Sequence, residues 1–178
     1  MQIIQSERLS MRWLNEDDAA FVLRLVNDPD WLRNIGSKNV HSISEARQYL
    51  QDGPLSLYRD YGFGLYALCL VESQQPIGMC GLIKRPHLPH VDVGYALLPE
   101  HRGCGYAAEA VNLAMQHAVR DLDLTTLVAI VNMDNHASAK VLVKNGFQPQ
   151  TPIMLPNEEK PLAYFRWDLT DSNLLRQK

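Results

Sequence analysis

The residues with the clearest chemical potential form a glycine-containing turn, Arg102-Gly103-Cys104-Gly105-Tyr106-Ala107. The turn follows a predicted strand at residues 91–98 and precedes a predicted helix that runs to about Asp121. The first turn of a helix offers backbone N–H groups without intrahelical partners, and its dipole favours an anion. The two glycines lack a Cβ, so phosphate oxygens can approach the backbone closely, and Arg102 adds a positive charge. The segment therefore predicts a phosphate-binding loop.

The same segment contains Gly103-x-Gly105-x-x-Ala108, which also fits the glycine fingerprint of dinucleotide-binding folds. That fingerprint places its first glycine directly after the strand, whereas residues 99–102 intervene here. It also expects an acidic residue at the end of the next strand to bind a ribose, and the next predicted strand is followed by Asn132. The spacing therefore favours a different phosphate ligand.

Hydrophobic periodicity places this loop within a succession of strands and helices. Strands are predicted at residues 3–14, 63–71, 77–85, 91–98, 126–131, 147–155 and 162–169. Helices are predicted after a cap at Asn15, at residues 31–35, from Ser42 to about Leu50, after the glycine loop, and at residues 135–145. Trp31 and Tyr58 either line a binding site in the early helical region or are ordinary core aromatics.

Composition limits the class of protein. The chain has 178 residues, a net charge of −3 and 46% hydrophobic residues, values typical of one globular domain without a strong attraction to nucleic acid or anionic membranes. No apolar run approaches the roughly 20 residues of a membrane span, and no secretory signal is visible. An odd number of cysteines, three, without a secretory signal predicts a cytoplasmic protein with free thiols. The net charge and the absence of a long apolar run predict no nucleic-acid partner and no membrane contact. His87-x-x-His90 lies beside prolines without further ligands, so we predict no metal.

A family resemblance agrees with the loop. Arg102-x-x-Gly105-x-Ala107 resembles the acyl-CoA pyrophosphate loop of the GNAT acetyltransferase superfamily, and the surrounding residues 92–95 and 105–110 are similar to the branch that acetylates N-termini of ribosomal proteins. Three further segments agree in order. Residues 6–12 resemble that branch's opening strand, residues 27–30 the end of its first helix, and residues 135–147 its fourth helix and the strand after it.

The resemblance, which spans about residues 3–169, implies a fold class. We expect an α/β (α+β) chain with a single domain at residues 1–169 and a C-terminal tail at residues 170–178. The sheet should be mixed, mostly antiparallel and twisted, splayed at its central strand and flanked by helices.

The resemblance also implies a reaction, the transfer of an acetyl group from acetyl-CoA to a primary amine by direct attack in a ternary complex. The first acceptor to consider is a protein N-terminal α-amine of the ribosomal-protein type. The alternatives are a small amine, such as a polyamine, an aminoglycoside or an amino acid, and, in another class, an acyl-CoA-binding module without catalysis. Monomer and homodimer both remain open.

The family also implies which residues bind acetyl-CoA. The pyrophosphate should lie on the backbone N–H groups of Gly103, Cys104, Gly105, Tyr106 and Ala107, with Arg102 nearby. The pantetheine arm should pair with the exposed edge of the central strand at Leu97 and Leu98, whose backbone also offers an N–H to the reacting oxygen. Asn132 and Asn135 should contact the arm from the far side, although Asn135 also fits a helix cap.

Two residues are expected to carry proton transfers. Asp92 matches the position at which this branch often has Glu, and it serves either as the base for the amine or as an electrostatic attractant, with His90 as the alternative base. Ser138, one turn into the fourth helix, is the candidate acid near the sulfur, with Tyr164 as the alternative hydroxyl. Simple helix capping by Ser138 explains its position equally well.

Overall fold

The strands of the chain form one eight-stranded sheet in a computed structural model that describes residues 2–156 and 158–170. The spatial order is β1-β2-β3-β4-β5-β6-β8-β7. The strands are β1 Gln2–Gln5, β2 Leu9–Arg12, β3 Leu65–Leu70, β4 Pro76–Ile83, β5 Val91–Leu97, β6 Thr126–Asn132, β7 Gln148–Ile153 and β8 Leu162–Asp168. The helices are α1 Ala19–Val26, α2 Pro29–Asn34, α3 Ile43–Asp52, α4 Pro54–Tyr61, α5 Tyr106–Leu122 and α6 His136–Lys144.

Strands β5 and β6 are parallel, and every other neighbouring pair is antiparallel. The pairing of β5 with β6 is short, because only Val91 and Asp92 pair with residues of β6. On its other side β5 stays paired with β4 as far as Leu97. The sheet therefore opens between β5 and β6 beyond Asp92, which confirms the mixed, mostly antiparallel sheet with a splayed central strand.

Both faces of the sheet are covered. On one face α5 packs its buried positions against apolar side chains of β2 to β6 and β8. On the other face α1, α2 and α3 bury a second cluster that includes Trp31, Leu50 and Met79. The chain thus has one hydrophobic core on each face of a single sheet. The gap between β5 and β6 lies between these two packed helical layers.

The N-terminal strand prediction was wrong in one respect. Residues 3–14 were expected to form one edge strand, but the structure divides them into β1 and β2, which pair antiparallel with each other. The division lies at Ser6, whose backbone N–H donates to the Leu9 carbonyl at 2.8 Å and whose hydroxyl accepts from the Leu9 N–H at 3.1 Å. This local turn reverses the chain within three residues.

The other predicted elements lie close to their expected bounds, including the hairpin of β3 and β4 and the helix that follows the glycine loop. Helix α4 was not among the predicted helices. Proline is favourable at the first helical position, which is where Pro54 stands. The predicted tail at residues 170–178 lies outside the described residues, except for Thr170.

Candidate active site

The glycine loop presents a set of backbone donors at the start of α5. Gly103 and Gly105 adopt φ angles of +76° and +80°, a region that other residues rarely occupy. Gly105 is the N-cap of α5 and makes no side-chain cap. Among the described residues, no acceptor engages the backbone N–H groups of Gly103 through Ala107. These features fit a phosphate group, because they combine unpaired donors, the helix dipole and space above the backbone.

Arg102 occupies a different place from the one expected of a phosphate ligand. Its Nη1 donates to Asp30 Oδ2 at 2.6 Å, and its Nη2 is paired with Asp28. Nε and Nη2 also donate to the carbonyl oxygen of Leu97, at 3.0 and 2.7 Å. The guanidinium therefore joins the loop, the end of β5 and the N-terminus of α2, and its charge is already balanced by carboxylates.

A second arginine, Arg8, contacts the glycine loop and the first turn of α5. Arg8 forms an ion pair with Glu109 on α5, and its Nη1 donates to the Cys104 carbonyl at 3.2 Å. Its guanidinium carbon lies 4.8 Å from the ring centre of Tyr106. Arg8 comes from the N-terminal segment, nearly a hundred residues away, so the sequence alone gave no signal for this contact. Cys104 itself is exposed.

Leu97 and Leu98 were both predicted to offer a backbone N–H at the open edge of β5, and the prediction for Leu98 is wrong. The N–H of Leu98 donates to the Ile77 carbonyl at 2.9 Å, so Leu98 faces β4 and has no free donor on the open side. In an antiparallel pair successive residues alternate in direction, so the N–H of Leu97 points toward the side from which β6 has diverged. Leu97 thus supplies the edge donor that was assigned to both residues.

Asp92 lies at the last position where β5 pairs with β6, and it is 1% exposed. Burial raises its pKa to about 6, although the Arg85 charge and hydrogen bond act in the opposite direction. Arg85 Nε donates to Oδ2 at 2.6 Å. Oδ1 is buried and has no hydrogen-bond partner among the described residues, although the nearby backbone N–H of Ile130 also favours the charged form. A buried carboxylate oxygen without a partner is costly, and it marks a position for a ligand or water.

The hydroxyl of Ser138 meets that of Tyr95, with 3.1 Å between the two oxygens. Burial raises the pKa of Tyr95 above its ordinary value. Asn135, not Ser138, caps α6, since its Oδ1 accepts from the Ser138 backbone N–H at 3.1 Å. The alternative role of Ser138 as the cap is therefore wrong, and its hydroxyl remains available for a shared proton with Tyr95. Tyr95 was not recognised in the sequence as a site residue.

The remaining expected site residues divide into two groups. The Asn132 side chain donates to the carbonyls of Arg33 and Asn34, both at 3.2 Å, and so links the end of β6 to α2. Trp31 lines the groove described next. The others lie elsewhere: Tyr58 is stacked on Tyr66 in the core, His90 lies 3.5 Å from Arg166, and Tyr164 is not among the groove-lining residues.

One groove of about 960 Å³ brings these features together. It runs from the glycine loop along the open edge of β5, past Asp92 and the Tyr95–Ser138 pair, to α2 and the segment after it. Of the predicted site residues, those that line it are Asp92, Leu97, Arg102, Gly103, Gly105, Tyr106, Ala107, Asn132, Asn135 and Ser138. Arg85 and Lys38 also line the groove and were not predicted. A donor-rich loop, a free strand edge and a buried carboxylate thus share one cavity.

Two further findings concern the part of the chain that the structure describes. Within it, no group of three or more His, Cys, Asp or Glu side chains is placed to hold a metal ion. No helix in the same residues is long and apolar enough to cross a membrane.

Comparison with known proteins identifies the family. The acetyltransferase (GNAT) domain family matches residues 8–148, which is most of the chain. The chain therefore belongs to the GNAT family and is an N-acetyltransferase, an enzyme that uses acetyl-CoA and an amine acceptor. It is 27% identical over 150 residues to the uncharacterized N-acetyltransferase YoaA of Bacillus subtilis, covering 83% of this chain and 84% of that protein.

Solved structures agree with the fold. An acetyltransferase from Agrobacterium tumefaciens superposes with a TM-score of 0.79 at 25% identity, covering 95% of each chain. An acetyltransferase from Salmonella typhimurium, described as modifying the N-terminal serine of ribosomal protein L7/L12, has a TM-score of 0.79 at 19% identity, covering 96% of this chain and 100% of that one. At that identity the second likeness is one of fold alone.

Proposed function

We propose that this enzyme transfers the acetyl group of acetyl-CoA to an α-amine, first of all to the N-terminus of a protein or peptide. The observation that carries the proposal is the unpartnered Oδ1 of Asp92, buried in the groove at the point where β5 and β6 separate. An incoming ammonium group supplies the hydrogen bond that this oxygen lacks. The protein would thereby avoid the cost of an unsatisfied buried acceptor, about 1–3 kcal/mol.

Acetyl-CoA binds along the opposite end of the same groove in this proposal. The pyrophosphate lies on the free N–H groups of the glycine loop, and the pantetheine arm follows the open edge of β5 beside Asn132. Arg102 does not bind the phosphate but positions the loop through Asp28, Asp30 and the Leu97 carbonyl. The Leu97 N–H then faces the thioester oxygen, where negative charge develops during attack.

Side chains that line this groove can carry out each proton transfer of the reaction. Asp92 accepts a proton from the acceptor ammonium, directly or through water, and the neutral amine attacks the thioester carbonyl. The new C–N bond forms as the C–S bond breaks, and the electron pair leaves with sulfur. After attack the nitrogen carries one proton more than the amide product, and the Tyr95 and Ser138 hydroxyls, 3.1 Å apart, provide a relay that gives a proton to the departing thiolate as the nitrogen loses that one.

The pKa of Asp92, raised to about 6, suits an α-amine better than a lysine or polyamine. An α-amine has a reference pKa near 8, whereas that of a lysine amine is about 10.4, so the α-amine needs a much weaker base. The Salmonella typhimurium enzyme of similar fold, which acts on a ribosomal protein N-terminus, supports the same acceptor class. A small molecule that carries an α-amine remains the second candidate, because the groove admits it equally well.

The test has two readouts. Thermal melting with acetyl-CoA, with CoA and with NAD tests whether the glycine loop binds CoA, because a ligand that binds only the native state raises the midpoint of unfolding. We expect a rise with the first two and none with NAD. Acetylation of a peptide with a free N-terminus, compared with the same peptide blocked at its N-terminus and carrying a free lysine, measures the acceptor class. Faster modification of the lysine would overturn the α-amine proposal.

A further inference from the structure

The acceptor end of the groove contains cations that the acetyl-transfer chemistry does not use. Arg85 follows β4, and Lys38 lies in the segment between α2 and α3; both line the groove together with Asp92. They are close enough to each other for their charges to interact, and the Arg85 charge contributes to a lowered pKa of Lys38, after the larger effect of desolvation. Asp92 balances the Arg85 charge through their ion pair, whereas Lys38 has, among the described residues, only the more distant charge of Glu158.

Their hydrogen-bonding groups are largely free. Arg85 uses Nε for Asp92, and among the described residues its two terminal nitrogens make no hydrogen bond. Lys38 has neither an ion pair nor a hydrogen bond in the same part of the chain. Glu158 also lines the groove, and its charge acts on Lys38 from a distance without an ion pair. Lys38 is exposed and the Arg85 side chain is 40% exposed, so the donors of these two groove-lining cations are open both to solvent and to a ligand in the groove.

Trp31 adds an independent sign that a hydrogen-bond acceptor binds here. Its indole Nε1 is buried and has no partner among the described residues, and Trp31 lines the groove. Most buried polar atoms in proteins are paired, so this indole N–H is a free donor for a ligand oxygen that reaches it; Trp13 Nε1, which does not line the groove, is also unpaired in the described part of the chain. Asp30, a carboxylate that also lines the groove, is already bound by both Arg33 and Arg102.

We propose that the acceptor carries a carboxylate close to its reactive amine, bound by the terminal nitrogens of Arg85 and by Lys38 while Asp92 faces the amine. This inference rests on the proposed function and specifies its substrate class. The arrangement disfavours a polyamine or an aminoglycoside, because a second positive charge would meet Lys38 and Arg85. The carboxylate can come from an acidic side chain next to a peptide N-terminus or from the α-carboxylate of a free amino acid.

The experiment compares matched acceptors in steady-state acetylation. One arm uses peptide amides that begin Ser-Asp, Ser-Asn or Ser-Lys and are otherwise identical; the other uses free serine against serinamide. A charged hydrogen bond contributes about 1.5–3 kcal/mol, so the preferred carboxylate source should show a KM at least about tenfold lower than its neutral counterpart. A preference in the first arm indicates an acidic peptide, and one in the second indicates an amino acid.

Variants assign the effect to the cations. Lys38→Met should reduce the preference for the carboxylate, and Lys38→Glu should reverse it toward Ser-Lys. Lys84→Met is the matched control, because Lys84 precedes Arg85, is exposed and does not line the groove. The preference should persist in that control and decline with salt in the wild type.

Two kinds of failure can be told apart. If neutral and cationic acceptors are acetylated as well as the acidic ones, or if Lys38→Glu leaves the ranking unchanged, the carboxylate inference is wrong while the acetyltransferase proposal stands. If acetyl-CoA raises the melting midpoint but no α-amine in either arm is acetylated, the proposed acceptor class itself is wrong.

Discussion

Asp28→Asn separates the two roles that Arg102 could have. Asp28 is buried, and its Oδ1 accepts from the backbone N–H of Asp30 at 3.0 Å and of Trp31 at 3.4 Å while pairing with Arg102. Burial acts to raise the pKa of Asp28, but the Arg102 guanidinium and the backbone N–H groups of Trp31 and Asp30 together outweigh it and lower the pKa. An asparagine keeps an oxygen for the helix cap and removes only the charge, so the variant tests the ion pair with little disturbance to α2.

The expected cost follows from these contacts. A hydrogen bond between charged groups contributes about 1.5–3 kcal/mol, and a neutral one about 1 kcal/mol. The substitution removes the difference, about 0.5–2 kcal/mol. Since the Arg102 side chain is 33% exposed, solvent screening puts the loss in the lower half of that range, at about 1 kcal/mol. Glu100→Gln is the control, because Glu100 precedes Arg102 by two residues and makes only an exposed pair with Arg24, which should cost less than about 1 kcal/mol.

Urea unfolding measures the stability of each variant, and calorimetric titration measures its affinity for CoA. If Arg102 positions the loop, Asp28→Asn should lose stability and should bind CoA with unchanged or weaker affinity. If Arg102 instead binds phosphate, removing a competing carboxylate should free the guanidinium and tighten CoA binding. Tighter binding in Asp28→Asn, together with lost binding in Arg102→Met, would refute the positioning role.

Three further predictions concern the loop, the base and the core. Gly103→Ala and Gly62→Ala both place a Cβ at positive φ in open space, so each should lose about 1 kcal/mol of stability, but only Gly103→Ala should weaken CoA binding in calorimetry. For Asp92, kcat/KM should fall as pH drops through about 6, and Asp92→Asn should lose this dependence. The pKa of Asp92 is higher in the folded protein, about 6, than its unfolded value of 3.8, so the folded state loses stability as the pH rises from below 3.8 through about 6. In urea unfolding the wild type should therefore lose roughly 3 kcal/mol relative to Asp92→Asn over this pH range. A difference between the two that stays constant with pH would contradict the raised pKa. Tyr66→Phe leaves His117 Nε2 without its 3.0 Å buried partner and should cost about 1–3 kcal/mol with CoA affinity unchanged.

The sequence predicted the backbone of the site well, because that part depends on local signals. Glycines between a strand and an amphipathic helix define the loop within a few residues, and the structure places φ-positive glycines there. The splay of β5 was implied by family resemblance and is confirmed by its brief pairing with β6. Asp92 could be placed on the central strand by counting alternate residues, and it lies in the groove.

The side-chain partners could not be predicted, because they come from distant segments. The Arg102 guanidinium faces carboxylates more than seventy residues earlier, and the loop is braced by Arg8 from the N-terminal turn. Arg85 follows a strand whose end gave no sign that it would reach Asp92. Leu98 was misassigned because the direction of a backbone N–H depends on pairing register, which composition and periodicity do not determine.

The central claim is that one groove holds acetyl-CoA on the glycine loop and an α-amine at Asp92. Mass spectrometry of a serine-initiated peptide incubated with acetyl-CoA and the enzyme tests it most directly, with Asp92→Asn and an N-terminally blocked peptide run in parallel. We predict the gain of one acetyl group at the N-terminus, a much slower gain with Asp92→Asn below about pH 8, where the α-amine is largely protonated, and none with the blocked peptide. Equal rates for wild type and Asp92→Asn would contradict the role of Asp92. No acetylation of any α-amine, despite acetyl-CoA binding, would contradict the acceptor claim.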